Sequence, residues 1–91
     1  MSDYLEDAAL EYWSAIRMAY ERFAGKKPVM LLDIQEHRVY AYPYAAFKKD
    51  LSARSQRALR EQYENAIRHG QVVVFVRDND ERRLVSFLFD L

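Results

Sequence analysis

Apolar residues recur at two different spacings along this chain, and the switch between the spacings divides it into elements. In the first stretch they fall at Leu5, Ala9, Tyr12, Ile16, Ala19 and Phe23, in steps of four and three. That is one face of an α-helix, which Trp13 and Tyr20 widen. Asp3 and Glu6 have the spacing of a capping box, and Asp7 adds negative charge to the first turn. Gly25 supplies a C-terminal stop and Pro28 prevents the helix from resuming. The pattern predicts a helix over residues 3–24.

From residue 29 the helical period is lost. VMLLDIQEHRVYAYPY reads as a hairpin, Val29–Ile34 and His37–Tyr42, with a two-residue turn at Gln35–Glu36. That turn sets Asp33 opposite Arg38 as an ion-paired couple, and Pro43 closes the second strand. YAAFKKDL, residues 44–51, suits a short helical turn with Phe47 pointing inward. A second helix follows over Ser52–His69, with Ser52 as N-cap, Leu51 packed onto it and Gly70 as its stop. Its stripe is narrow: Ala58, Leu59, Tyr63, Ala66 and Ile67. Arg54, Arg57 and Arg60 therefore face solvent.

The last segment, QVVVFVRDNDERRLVSFLFDL, holds two apolar runs around a charged turn and predicts strands Val72–Arg77 and Arg83–Leu91. A two-residue turn would set like charges opposite each other. A three-residue turn, Asn79–Asp80–Glu81, pairs Asp78 with Arg82 and is preferred.

The element order is αββαββ. Ala15, Ile16, Arg17, Tyr20 and Glu21 match Ala58, Leu59, Arg60, Tyr63 and Glu64 at one offset, which suggests an αββ duplication. The expected fold is α+β in one domain spanning 1–91: a four-stranded antiparallel sheet with two helices packed on one face. Carried through both hairpins, the turn lengths give one aliphatic sheet face and one aromatic, arginine-rimmed face. The second holds Tyr40, Tyr42, Phe75 and Phe87, with Tyr44 and Phe89 near its edge and Asp33, Arg38, Arg77 and Arg83 at its turn end. A one-residue slip in either hairpin would exchange its faces.

Composition narrows the function classes. Fourteen basic and fourteen acidic residues give zero net charge, which argues against a dedicated duplex-DNA binder. The charge is uneven: residues 1–24 carry five acids against two arginines, and residues 48–70 six cations against three acids. Two helices whose solvated faces attract each other would explain this; a basic helix that meets an acidic partner is the sharper alternative. There is no Cys, so thiol catalysis, disulfides and thiolate metal sites are excluded. No apolar run is long enough to span a bilayer, and the expected setting is cytoplasmic.

Candidate chemistry is thin. His37 near Asp33 and Glu36 has the residue types of a metal or proton-transfer site, but residues so close in sequence enclose no pocket. Asp78, Asn79, Asp80 and Glu81 lack the spacing and glycine of a calcium loop. No glycine-rich phosphate loop occurs. The sequence thus points to a small non-enzymatic interaction domain without cofactor or metal, homodimeric through Arg38, Tyr40, Tyr42, Tyr44, Phe75, Arg83, Phe87 and Phe89. A single-stranded nucleic-acid or regulatory binding module using the Arg/Tyr face is the alternative. A small enzyme with a cleft between protomers comes third.

Overall fold

The computed structural model describes residues 4–23, 26–49 and 51–91. In chain order the elements are α1 (Tyr4–Glu11), α2 (Trp13–Arg22), β1 (Val29–Asp33), β2 (Arg38–Tyr42), α3 (Tyr44–Lys48), α4 (Ala53–Arg68), β3 (Gln71–Asp78) and β4 (Arg83–Asp90). The predicted first helix is thus two segments meeting at Tyr12, whose φ/ψ of −94°/15° leave the α region. The hydrogen bonds run on across the break, from Tyr12 N–H to the Ala8 carbonyl and from Ile16 N–H to that of Tyr12. The stops and caps assigned to Asp3 and Gly25 lie outside the described residues.

The four strands form one α+β sheet in the order β2-β1-β3-β4. It is mixed, not antiparallel: β1 pairs with β2 and β3 with β4 antiparallel, but β1 and β3 run parallel, with Leu31 beside Phe75 and Asp33 beside Arg77. The central pair explains the continuous apolar runs. All of β1 and Val72–Val76 of β3 are buried, as parallel strands covered on both faces require.

The helices are not segregated to one face. Leu5, Ala9 and Ile16 of α1 and α2 pack with Met30, Leu32, Val72, Val74 and Val76. Leu59 and Ala66 of α4 pack with Val29, Leu31, Val73 and Phe75. These two strand sets alternate along β1 and β3, so they lie on opposite faces of the sheet. Each face therefore has its own helical layer and core. The arrangement expected from sequence would have left one face bare; here α3 and α4 occupy it. The acidic first helix and the basic later one are on opposite sides of the sheet, so they do not neutralise each other across a shared face.

The first hairpin keeps the predicted register, Asp33 opposite Arg38, although its strands stop one residue earlier on each side and the turn is 34–37. The second does not: Asp78 pairs with Arg83, across a four-residue turn of Asn79, Asp80, Glu81 and Arg82. That is the one-residue slip which exchanges faces. Val85, Phe87 and Phe89 join the α1/α2 side, and Leu88 the α4 side. The slip follows from Asp78. Its carboxylate is sequestered by Tyr4 and Gln35, residues distant in sequence, and by the turn amides of Asp80 and Glu81, leaving nothing for Arg82 to pair with. Arg82 instead takes φ 53°, matching His37 at the last position of the first turn, also φ 53°.

Around α4 the chain follows its local signals closely. Ser52 Oγ accepts the Ser55 amide at 3.2 Å as N-cap. Leu51 and Phe47 pack against the α4-side core. Gly70 ends α4 at φ 65°, a left-handed conformation that glycine adopts without cost from a Cβ.

Candidate functional site

The carboxyl ends of the parallel strands β1 and β3 lie side by side, the position at which open α/β sheets collect ligands. Both hairpin turns gather polar groups there. Asp33 is wholly buried and accepts Arg77 Nε at 2.8 Å, Arg77 Nη2 at 2.6 Å and the Glu36 amide at 3.0 Å. The Glu36 amide, and after it the Arg77 guanidinium, hold its carboxyl below the usual carboxylate range despite its burial. The ion pair expected between Asp33 and Arg38 is therefore replaced by one across the parallel ladder. Arg38 is exposed and lies over the Tyr40 ring, its guanidinium carbon 5.5 Å from the centroid.

Asp78 accepts the Tyr4 hydroxyl at 2.6 Å and the Gln35 amide at 2.7 Å, and the Asn79 amide donates to the other end of Gln35. Gln35 thus ties the two turns together. The Tyr4 bond, then that of Gln35, lowers the Asp78 carboxyl, and the same bond raises the Tyr4 phenol. The Tyr40 hydroxyl donates to Glu36, which raises its own pKa. His37 does not turn to Asp33 or Glu36 but shares a hydrogen bond of 2.8 Å with the Tyr12 hydroxyl. Each of these groups is used in holding two turns, a strand pair and a helix together. Among the described residues no three His, Cys, Asp or Glu side chains converge as metal ligands, and the cluster presents no nucleophile with a base and an orienting group.

The residues singled out in sequence for partner binding fall into two sets. Tyr40, Tyr42 and Phe75 share the α4 side with Tyr44, which sits on α3 rather than the sheet. Tyr40 and Tyr42 stack at 6.2 Å, Tyr42 meets Phe47 at 5.7 Å, Phe47 meets Phe75 at 4.7 Å, and Tyr44 stacks on Tyr63 at 4.3 Å. Phe75 is buried by this layer, and no second copy is needed to cover it. Arg83, Phe87 and Phe89 lie on the other side, on the edge strand β4. Phe87 and Phe89 are half-buried with their centroids 6.0 Å apart, and the Arg83 guanidinium lies 5.5 Å from the Tyr4 ring centre. Leu84 of the same strand is 49% exposed.

Two shallow clefts of about 200 Å³ each flank α3. One is lined by Tyr44, Ala53, Gln56, Arg57 and Arg60, the other by Leu31, Tyr42, Ala46, Phe47, Leu51 and Arg77. A third, of about 150 Å³, lies at the amino ends of β1 and β3 between Tyr20, Lys27, Tyr63 and Ile67, among others. Tyr63 crosses it to donate to the Lys27 carbonyl at 2.7 Å, holding Lys27 at φ 45°. Arg77 was legible as a rim residue of the aromatic face and Gln35 and Asp78 as turn residues, but not the partners that place them, which lie more than forty residues away. Arg57 and Arg60 were legible as exposed but not as walls of a cleft. No protein family, curated protein or solved structure matches this chain.

Proposed function

We propose that this protein is a non-enzymatic interaction module that joins a second copy of itself edge to edge through β4. The observation that carries the reading is the unguarded edge. β4 pairs with β3 at eight consecutive positions, from Asp90 beside Gln71 to Arg83 beside Asp78, and among the described residues its other side closes no ladder. RLVSFLFD contains no Pro and no bulge, and its only charges, Arg83 and Asp90, stand at its two ends, so the six residues between them lack the devices by which sheets normally block strand addition. The opposite edge differs: β2 has five residues, opens on exposed Arg38 and runs straight into Pro43.

The same reading takes the chain as two αββ units, each ending in a hairpin whose four-residue turn follows an Asp and precedes an Arg. β2 and β4 are then equivalent edges, of which one is protected. A second copy adds to β4 antiparallel with like faces together, so the two-fold passes through a residue paired with itself. With Ser86 on the axis, Leu84 meets Leu88 of the partner subunit and Val85 meets Phe87 of the partner subunit. These pairs cover the apolar side chains that the helical layers leave half-exposed.

Sedimentation at tens of micromolar tests the reading. The wild type is expected as a dimer, and Leu84→Lys, which places an ammonium in the seam twice per dimer, as a folded monomer. A wild type that sediments as a monomer in both low and high salt overturns it.

A further inference from the structure

We infer that the side of the molecule carrying α3 and α4 binds single-stranded nucleic acid. Three observations meet there. The first is the separation of charge by the sheet. Glu6, Asp7 and Glu11 are on α1, on the far side, while Arg54, Arg57 and Arg60 are exposed along α4. Among the described residues no ion pair joins these three arginines to an acid.

The second is the alternation of cations with rings. Arg38 lies over Tyr40, Tyr40 stacks on Tyr42, and Tyr42 shares a cleft wall with Arg77, whose side chain is 40% exposed in spite of its bond to Asp33. On the far side of α3, Tyr44 shares the other cleft with Arg57 and Arg60. The third is shape. The half-buried rings lie on a shallow surface broken by two open clefts, within which a flexible single strand can lay its bases.

A single strand needs both parts of this surface. Its bases stack on ring faces without regard to sequence, and its phosphates take guanidinium groups. An acidic protein surface would use the arginines and leave the tyrosines without a role. Glu36, Glu61 and Glu64 lie on the same side and limit the affinity. Zero net charge is no obstacle, because a strand meets the basic face and not the acidic helix.

The test is fluorescence anisotropy with labelled oligo-dT and oligo-rU of about twelve nucleotides, within the range of strand lengths such surfaces cover. If three guanidinium groups each neutralise one phosphate, Kd rises about twentyfold between 50 and 200 mM salt. Arg57→Glu with Arg60→Glu, on an exposed helix face, is expected to abolish binding while circular dichroism stays unchanged. Tyr40→Leu keeps an apolar cover at that position and is expected to weaken binding about tenfold at an unaltered salt slope. Arg22→Glu, on α2, leaves it unchanged. Absence of binding at low salt overturns the inference. So does equal affinity for duplex, binding of polyglutamate but not of oligonucleotide, or indifference to the Arg57/Arg60 double variant.

Discussion

Asp33 is wholly buried and joins the two central strands at their carboxyl ends. Its partners, the Glu36 amide and the Arg77 guanidinium, hold its pKa below the reference value of 3.8, and Asp78 is shifted the same way. Depressed folded-state values mean that the unfolded chain takes up protons first. The stability these groups contribute is complete above the unfolded values and is lost as pH falls through the folded ones. Urea midpoints are therefore expected to be flat with respect to these groups near neutrality and to fall below pH ~4. Asp33→Asn should cost about 2 kcal/mol at neutral pH, since the carboxylate charge facing Arg77 is lost and an amide NH2 replaces one of the two accepting oxygens, and should flatten the acid limb. An Asp33→Asn protein with the wild-type acid limb would assign that limb to other carboxylates. Arg82 gives the opposite prediction. It is exposed at φ 53°, a conformation that side chains with a Cβ resist. Arg82→Gly is expected to raise stability by roughly 0.5 kcal/mol and Arg82→Val to lower it, read as shifts in urea midpoint at constant slope.

At the scale of elements, what could be read from sequence was what is decided locally. The cap at Ser52, the stop at Gly70, the inward Phe47, the exposed arginines of α4 and the register of the first hairpin depend on residues within a few positions of each other. Ser52→Ala should cost about 1 kcal/mol through the lost Ser55 amide bond, while Arg57→Ala should stay within about 0.5 kcal/mol. Thermal melts distinguish the two, and a large loss from Arg57→Ala would place that residue in a contact the exposed helix face does not provide. What could not be read depends on distant partners. The second hairpin chose its register because Tyr4 and Gln35 take Asp78, so the local charge pairing with Arg82 lost. The β1–β3 pairing joins residues more than forty positions apart, and two apolar faces fit either a dimer seam or a buried central pair. The candidate binding residues divided for the same reason: one residue of slip carried Phe87 and Phe89 to the side opposite Tyr40 and Tyr42, while Arg77, on β3, stayed with the latter.

The molecule as a whole is a sheet with a core on each face, and this has a consequence that a two-layer fold would not share. Ile16 is fully buried beneath α2, and Leu59 is 2% exposed beneath α4. The strand residues of their two cores alternate along β1 and β3, so the two side chains belong to separate clusters on opposite faces of the sheet. Truncating either leaves a cavity in a packed interior. Ile16→Ala and Leu59→Ala should each cost about 3 kcal/mol, the middle of the range for such deletions. In a fold with both helices on one face they would border the same core, and cutting both would couple. Here the losses should add to within about 0.5 kcal/mol, because the sites are separate. The shared strands predict something further. Val73 and Val74 are neighbours in β3 that serve opposite cores, so neither layer can leave without exposing a strand the other needs. Both single variants should lower one common urea transition, with fluorescence of Trp13 on the α2 side and far-ultraviolet dichroism over the whole chain moving together. If Leu59→Ala instead produced a first transition seen by dichroism but not by Trp13, α4 would be detaching alone. The sheet would then be held chiefly by α1 and α2.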